Sequence, residues 1–151
     1  MIDFFEFEAD FVDSLRCIPM QVRCKLDTCG IKLKLSDWNH MAQRERENLV
    51  KLPCTTPSEI QAYREHLQQL IVQHTGTPAS ELPIEPNPAW MDSTTVPASL
   101  QEKAQEIGIN LTAQQWAELN PLQRFALIKL SRPGHESKNF SKAIAEFNLI
   151  S

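Results

Sequence analysis

The 151-residue sequence contains only four glycines and no long apolar run. So few glycines make a phosphate-binding loop improbable, and neither a Walker loop nor a G-x-G-x-x-G motif occurs. The G-x-S-x-G motif of serine hydrolases is also absent. No apolar run approaches the roughly 18 residues that a membrane span needs. We therefore expect no nucleotide loop, no hydrolase nucleophile and no membrane partner.

Positive charge is not in excess, because the sequence has 15 lysines and arginines but 19 acidic residues, which gives a net charge of −4. Proteins that bind nucleic acid usually carry a basic face, so no nucleic-acid partner is predicted. The first residues, MIDFFEFEADF, hold acids where a signal peptide carries positive charge. This pattern predicts a cytoplasmic protein.

Cysteine spacing offers little support for a metal site. No C-x-x-C pair occurs, and the cysteines are separated by gaps of six, four and twenty-four residues. In a cytoplasmic chain with a real core, free thiols are expected rather than disulfides. The cysteines remain weak metal candidates: Cys17, Cys24, Cys29 and Cys54.

The stretch CGIKLKLSDW, at residues 29–38, recurs as IGINLTAQQW at residues 107–116. Without gaps, residues 18–52 align with 96–130 and share ten identities. The identical pairs are Pro19/Pro97, Lys25/Lys103, Gly30/Gly108, Ile31/Ile109, Leu33/Leu111, Trp38/Trp116, Arg46/Arg124, Leu49/Leu127, Lys51/Lys129 and Leu52/Leu130. The chain is therefore interpreted as an internal duplication.

Each copy has the pattern of helix, glycine turn, short helix and helix. Proline stands at the predicted first helical position, and apolar residues follow at helical spacing, as in Ile18, Val22, Leu26 and Cys29. The glycine then occupies the left-handed position that ends a helix. Since Cys29 aligns with Ile107, it is predicted to be a buried apolar residue, whereas Cys24 aligns with Glu102 and should face outward.

We predict an all-α single domain, residues 1–151, of about six to seven helices. Pseudo-repeat 1 covers about 18–75, a proline-rich ordered connector 76–95, and pseudo-repeat 2 about 96–150. A capping box predicts a helix from Pro57 to Gly76, and a last helix is predicted at roughly 138–148. A further hypothesis is a very short two-strand bridge that pairs Ile31–Leu33 with Ile109–Leu111.

Two polar clusters are candidates for partner binding because the duplication does not account for them. The first lies around the first repeated helix, and the second follows the second repeat. The candidate residues are Arg16, Cys17, Arg23 and Asp27 in the first cluster, and Arg132, His135 and Asn139 in the second. No catalytic constellation accompanies them, so no enzymatic activity and no cofactor are predicted.

Three segments carry a family resemblance: FEFEADFVDSLRCIPMQVRCKLDTCGIKLKLSDW, ELPIEPNPAW and LQRFALIKLSRPGHESKNFSKAIAEF. Together they resemble the cyanobacterial nitrate reductase-associated protein family, over roughly residues 3–150. The resemblance implies a small accessory protein that is linked to assimilatory nitrate reductase and to molybdenum-cofactor genes and is needed for the reductase to be active. It supplies no catalytic residues.

The sequence thus leaves two functions open. The first is a non-enzymatic accessory whose partner is nitrate reductase or a molybdenum-cofactor maturation protein. The alternative is a protein that handles metal or iron–sulfur clusters through the four cysteines.

Overall fold

The computed structural model describes residues 5–8, 15, 17–132 and 139–149. These residues form mainly helices, which confirms the predicted fold class, with eight α-helices against the expected six to seven. The helices are α1 (Met20–Cys29), α2 (Leu35–His40), α3 (Gln43–Lys51), α4 (Pro57–Thr75), α5 (Ala98–Glu106), α6 (Ala113–Glu118), α7 (Pro121–Leu130) and α8 (Asn139–Glu146). Two 3-10 turns, Glu6–Glu8 and Ala89–Met91, and two strands, β1 (Ile31–Lys32) and β2 (Ser80–Glu81), complete the described elements.

The chain divides into two compact units. Unit 1 contains the described residues from Glu8 to Glu85, and unit 2 contains Phe5–Phe7 and the described residues from Pro86 onward. The single-domain organisation stays a prediction.

None of the helices in the described ranges is long and apolar enough to cross a membrane.

In unit 1, α1 buries the predicted face, with Val22 and Cys29 fully inaccessible. Pro19 is the residue before the helix and not its first residue, because its ψ of 155° is extended. The helix ends at Gly30, whose φ is 77° and whose N–H donates to the carbonyl of Leu26 at 2.9 Å. The sequence therefore identified the helix stop and missed its start by one position.

The predicted two-strand bridge exists, but its predicted partner was wrong. Ile31 pairs antiparallel with Glu81, and Lys32 pairs with Ser80. The second strand therefore comes from the connector at 76–95 and not from Ile109–Leu111. The N–H of Leu82 also donates to the carbonyl of Gly30 at 2.8 Å. The connector runs so close to Gly30 that only a residue without a Cβ fits there.

Two side chains of unit 1 anchor the segment before α1. The indole Nε1 of Trp38, a side chain with no accessible surface, donates to the carbonyl of Leu15 at 2.7 Å. Nη1 of Arg46 donates to the same carbonyl at 2.9 Å.

The capping box predicted at the start of α4 is present, since Thr56 and Glu59 exchange backbone-to-side-chain bonds.

Unit 2 has the same order of helices over α5, α6 and α7, but the described residues between α5 and α6 form no strand that would match β1. Gly108 has a φ of 81°, and Thr112 and Asn120 cap the two following helices. Trp116, only 1% exposed, donates from Nε1 to the carbonyl of Asp92 at 2.7 Å. Trp38 makes a similar bond in unit 1, to a carbonyl 23 residues upstream against 24 here, and the duplication stays a prediction.

The connector is only partly buried. Trp90 packs edge-on against Phe125 with ring centroids 5.0 Å apart. Ile84 is 55% exposed. The last helix, Asn139–Glu146, lies within the predicted range.

Candidate functional site

The first predicted cluster lies at and just before α1. Cys17 is exposed, and Arg23 and Asp27 are half-exposed on α1. Because Arg23 and Asp27 are four positions apart, they share one side of the helix. Arg16 lies outside the described residues. The structure thus brings Arg23 and Asp27 to one helix face, beside a helix start that leaves Cys17 accessible.

The second predicted cluster lies at the end of unit 2. Arg132 is exposed and follows α7 by two positions, while Asn139 is the half-buried first residue of α8. His135 lies outside the described residues.

The four cysteines have different environments. None of the four forms a disulfide; Cys29 is buried as predicted, whereas Cys24, which was expected to face outward, is half-buried like Cys54. Burial raises the pKa of Cys29 to about 12 and that of Cys54 to about 11, so both remain thiols at neutral pH. Metals bind the thiolate, and a raised pKa therefore disfavours ligation. In the part of the chain that the structure describes, no three His, Cys, Asp or Glu side chains are grouped to hold a metal.

The histidines also occupy separate environments. Nε2 of His74 lies 2.8 Å from Oε1 of Glu45, an ion pair when the imidazole is protonated, and links α4 to α3. The pKa of Glu45 is lowered, first by the N–H bond from Ala42 and also by His74. His66 lies two turns away from His74 and borders a pocket between α3 and α4.

Sequence reasoning missed two groups near α1. The first is Glu8, which is 2% exposed and accepts a bond from the N–H of Met20 at 2.8 Å. A buried carboxylate at this position satisfies an otherwise unpaired donor and complements the positive end of the helix dipole. No local capping pattern signals it, because Glu8 is twelve residues from Met20.

The second missed group is Lys25, which joins α1 to the end of α3. Its Nζ donates to the carbonyls of Val50 and Leu52, both at 2.6 Å, and lies 5.6 Å from the centroid of the Tyr63 ring. Burial lowers the pKa of this lysine, and the neighbouring Cys54 and Cys24 partly offset that effect. The identity with Lys103 was the signal in the sequence, but it did not reveal the carbonyl partners.

The comparisons with known proteins decide the family. The model of a family described as conserved nitrate reductase-associated protein matches residues 4–147. The chain belongs to this family. No curated protein and no solved structure matched the chain.

Membership of the nitrate reductase-associated family confirms the resemblance found in the sequence. The family's name associates it with nitrate reductase and describes an associated protein, not the reductase itself. The match covers α1, the connector and α7, so it includes both units and both predicted clusters. The cyanobacterial source and the cytoplasmic location stay predictions.

Proposed function

We propose that the chain is a non-enzymatic accessory of assimilatory nitrate reductase. It would support maturation of the reductase, insertion of its molybdenum cofactor, or its activity, through protein–protein contacts. The observation that carries this proposal is the family match over residues 4–147, because the family is named for association and not for a reaction. The direct partner would be the reductase or a protein that matures its molybdenum cofactor.

The proposed α1 surface consists of Arg16, Cys17, Arg23 and Asp27. Its support is the accessibility of Cys17 and the position of Arg23 and Asp27 on a side of α1 that does not bury Val22 and Leu26. Arg16 and Arg23 would favour an acidic patch on the partner, since complementary charge speeds association and fixes orientation.

The proposed α7 surface consists of Arg132, His135 and Asn139. Exposure of Arg132 after the end of α7 is the observation in its favour. These two surfaces are separate proposals, each on its own unit.

Affinity purification tests the partner and the α1 surface together. Tagged protein is isolated from nitrate-grown cells, and co-purified proteins are identified by mass spectrometry. We expect nitrate reductase or a cofactor-maturation protein to be enriched. The charge reversal Arg16→Glu/Arg23→Glu should reduce that recovery by about tenfold, because it replaces attraction by repulsion at the contact.

A matched control reverses two other exposed cations in unit 1, as Arg44→Glu/Lys51→Glu on α3. This control makes the same change in net charge and should leave recovery unchanged. Circular dichroism and the melting temperature establish that both variants fold. Equal recovery from the two variants would contradict the α1 surface. Enrichment of neither class of protein would contradict the proposed association.

A further inference from the structure

A pocket of about 450 Å³ opens between α3 and α4 in unit 1. One part of its lining is apolar and consists of Leu52, Pro53, Ala62 and the ring of Tyr63. The other part is polar and consists of Asn48, Glu59 and His66. A few polar groups on apolar walls are typical of pockets that bind small ligands or single side chains. We call this cavity the α3–α4 pocket.

His66 is the pocket residue with a ring nitrogen that lacks a hydrogen-bond partner. Its Nε2 is buried and has no hydrogen-bond partner among the described residues. A buried polar atom without a partner is unfavourable, and a ligand that bonds to it removes this cost. The neutral imidazole can accept at Nε2 when its proton is on Nδ1.

Glu59 gives the pocket a negative charge. One of its oxygens accepts from the N–H groups of Thr55 and Thr56 at 3.1 and 3.0 Å. These bonds lower the pKa of the carboxyl, so it is ionised at neutral pH. An ionised carboxylate at the pocket disfavours an anionic ligand and favours a cation with N–H donors.

Lys25, the lysine near the pocket, does not reverse the preference for a cationic ligand. Lys25 lies over the ring of Tyr63, but its ammonium donates two of its three N–H bonds to the carbonyls of Val50 and Leu52. The Asn48 amide can present its oxygen, so together with His66 and Glu59 it offers a third acceptor.

We propose that the α3–α4 pocket binds an alkylguanidinium group, as carried by an arginine side chain. The planar guanidinium supplies up to five N–H donors for the acceptors on His66, Glu59 and Asn48. Its weak hydration makes its transfer into a partly apolar cavity less costly than that of an ammonium. The aliphatic stem would contact the wall formed by Leu52, Pro53 and Ala62.

This proposal goes beyond the association with nitrate reductase and does not depend on it. The guanidinium could belong to a partner protein or to a free small molecule, and the two sources share the same chemistry. An arginine-containing peptide and agmatine represent these sources in the experiment.

The test is an NMR titration of the isotope-labelled full chain at constant ionic strength. The probes are N-acetyl-arginine amide, agmatine and a blocked Gly-Arg-Gly peptide. We expect saturable shifts at His66, Tyr63 and the Asn48 side-chain amide. Tighter binding of the peptide indicates a protein source, whereas equal or tighter binding of agmatine indicates a small molecule. The absence of saturable shifts with all three probes would overturn the proposal.

Two related probes isolate the guanidinium. N-acetyl-citrulline amide keeps the shape of arginine but has no charge, and N-acetyl-lysine amide keeps the charge without the planar group. Both should bind at least about tenfold more weakly. Equal affinity for citrulline or lysine would contradict a guanidinium site.

Variants locate the site. His66→Phe removes the acceptor and keeps an aromatic ring, and Glu59→Gln removes the charge but keeps an oxygen for Thr55 and Thr56. Each should weaken binding by about tenfold. His40→Phe, at an exposed histidine on α2, is the matched control and should not change affinity. If both pocket variants fold and bind like wild type, the pocket assignment is wrong.

Discussion

Gly30 and Gly108 occupy equivalent positions after α1 and α5, but their surroundings differ. Both have left-handed φ values, 77° and 81°, which ordinary L residues rarely adopt. A Cβ on Gly30 would lie 2.7 Å from Cγ1 of Ile84 and 2.9 Å from the carbonyl oxygen of Leu82. A Cβ on Gly108 would meet no atom within 4 Å. The pair therefore separates backbone strain from steric overlap.

We predict that Gly108→Ala lowers the free energy of unfolding by about 1 kcal/mol, through left-handed strain alone. Gly30→Ala should lower it by about 3 kcal/mol, because the new methyl group also displaces the connector at Leu82. Urea unfolding followed by circular dichroism measures both values. Equal losses in the two variants would show that the close approach at Gly30 carries no cost.

At the scale of elements, Lys25 and Lys103 show how one repeated residue acquires two roles. Lys25 connects α1 to the end of α3 through the carbonyls of Val50 and Leu52. Nζ of Lys103 instead lies 3.6 Å from Oε2 of Glu106 on its own helix. The first contact joins two helices, whereas the second is a local pair of the kind that contributes little.

Lys25→Met should therefore lower the free energy of unfolding by about 1–2 kcal/mol. Methionine keeps the length of the side chain but leaves two carbonyls without their donor, and relief of the buried charge offsets part of the loss. The repeat-matched Lys103→Met should change it by less than about 0.5 kcal/mol. Denaturant titration checks both, and a large loss from Lys103→Met would argue against this division of roles.

Patterns of neighbouring residues predicted the helix ends better than they predicted contacts between residues that are far apart in the sequence. Thr56, Thr112 and Asn120 cap helices because a side-chain oxygen reaches N–H groups only three residues ahead. The bond from Glu8 to α1 and the pairing of β1 with β2 join residues that are far apart along the chain. Periodicity and capping contain no information on such contacts, so the strand partner was predicted wrongly.

The same limit applies to the candidate site. Cys29 could be recognised as a core residue because it occupies the apolar face of α1, although its aligned residue Ile107 is 38% exposed. His66 could not be recognised as a pocket residue, because its role depends on α3 lying beside α4. The residues of the α1 surface were chosen from their sequence pattern alone, and they stay a prediction.

At the scale of the whole chain, the two units share an order of three helices, a left-handed glycine and a buried tryptophan bonded to an upstream carbonyl. The duplication of the scaffold stays a prediction. Within the aligned copies, Arg23 and Asp27 of the proposed α1 surface are replaced by neutral residues. Arg23 aligns with Gln101, whose side-chain amide forms hydrogen bonds with both the N–H and the carbonyl of Leu111. The second copy therefore uses that position for structure. Function would then have diverged on a shared framework.

We predict that the two units unfold in a single cooperative transition. A core of fewer than about 70–80 residues rarely supplies more than about 3–5 kcal/mol, and each unit is near that size. Hydrogen exchange with mass spectrometry, measured across a urea series, follows peptides from α3 in unit 1 and α7 in unit 2. Their unfolding midpoints should coincide, and Gly30→Ala should lower both by the same amount. A midpoint for α7 that stays unchanged in this variant would identify two domains rather than one.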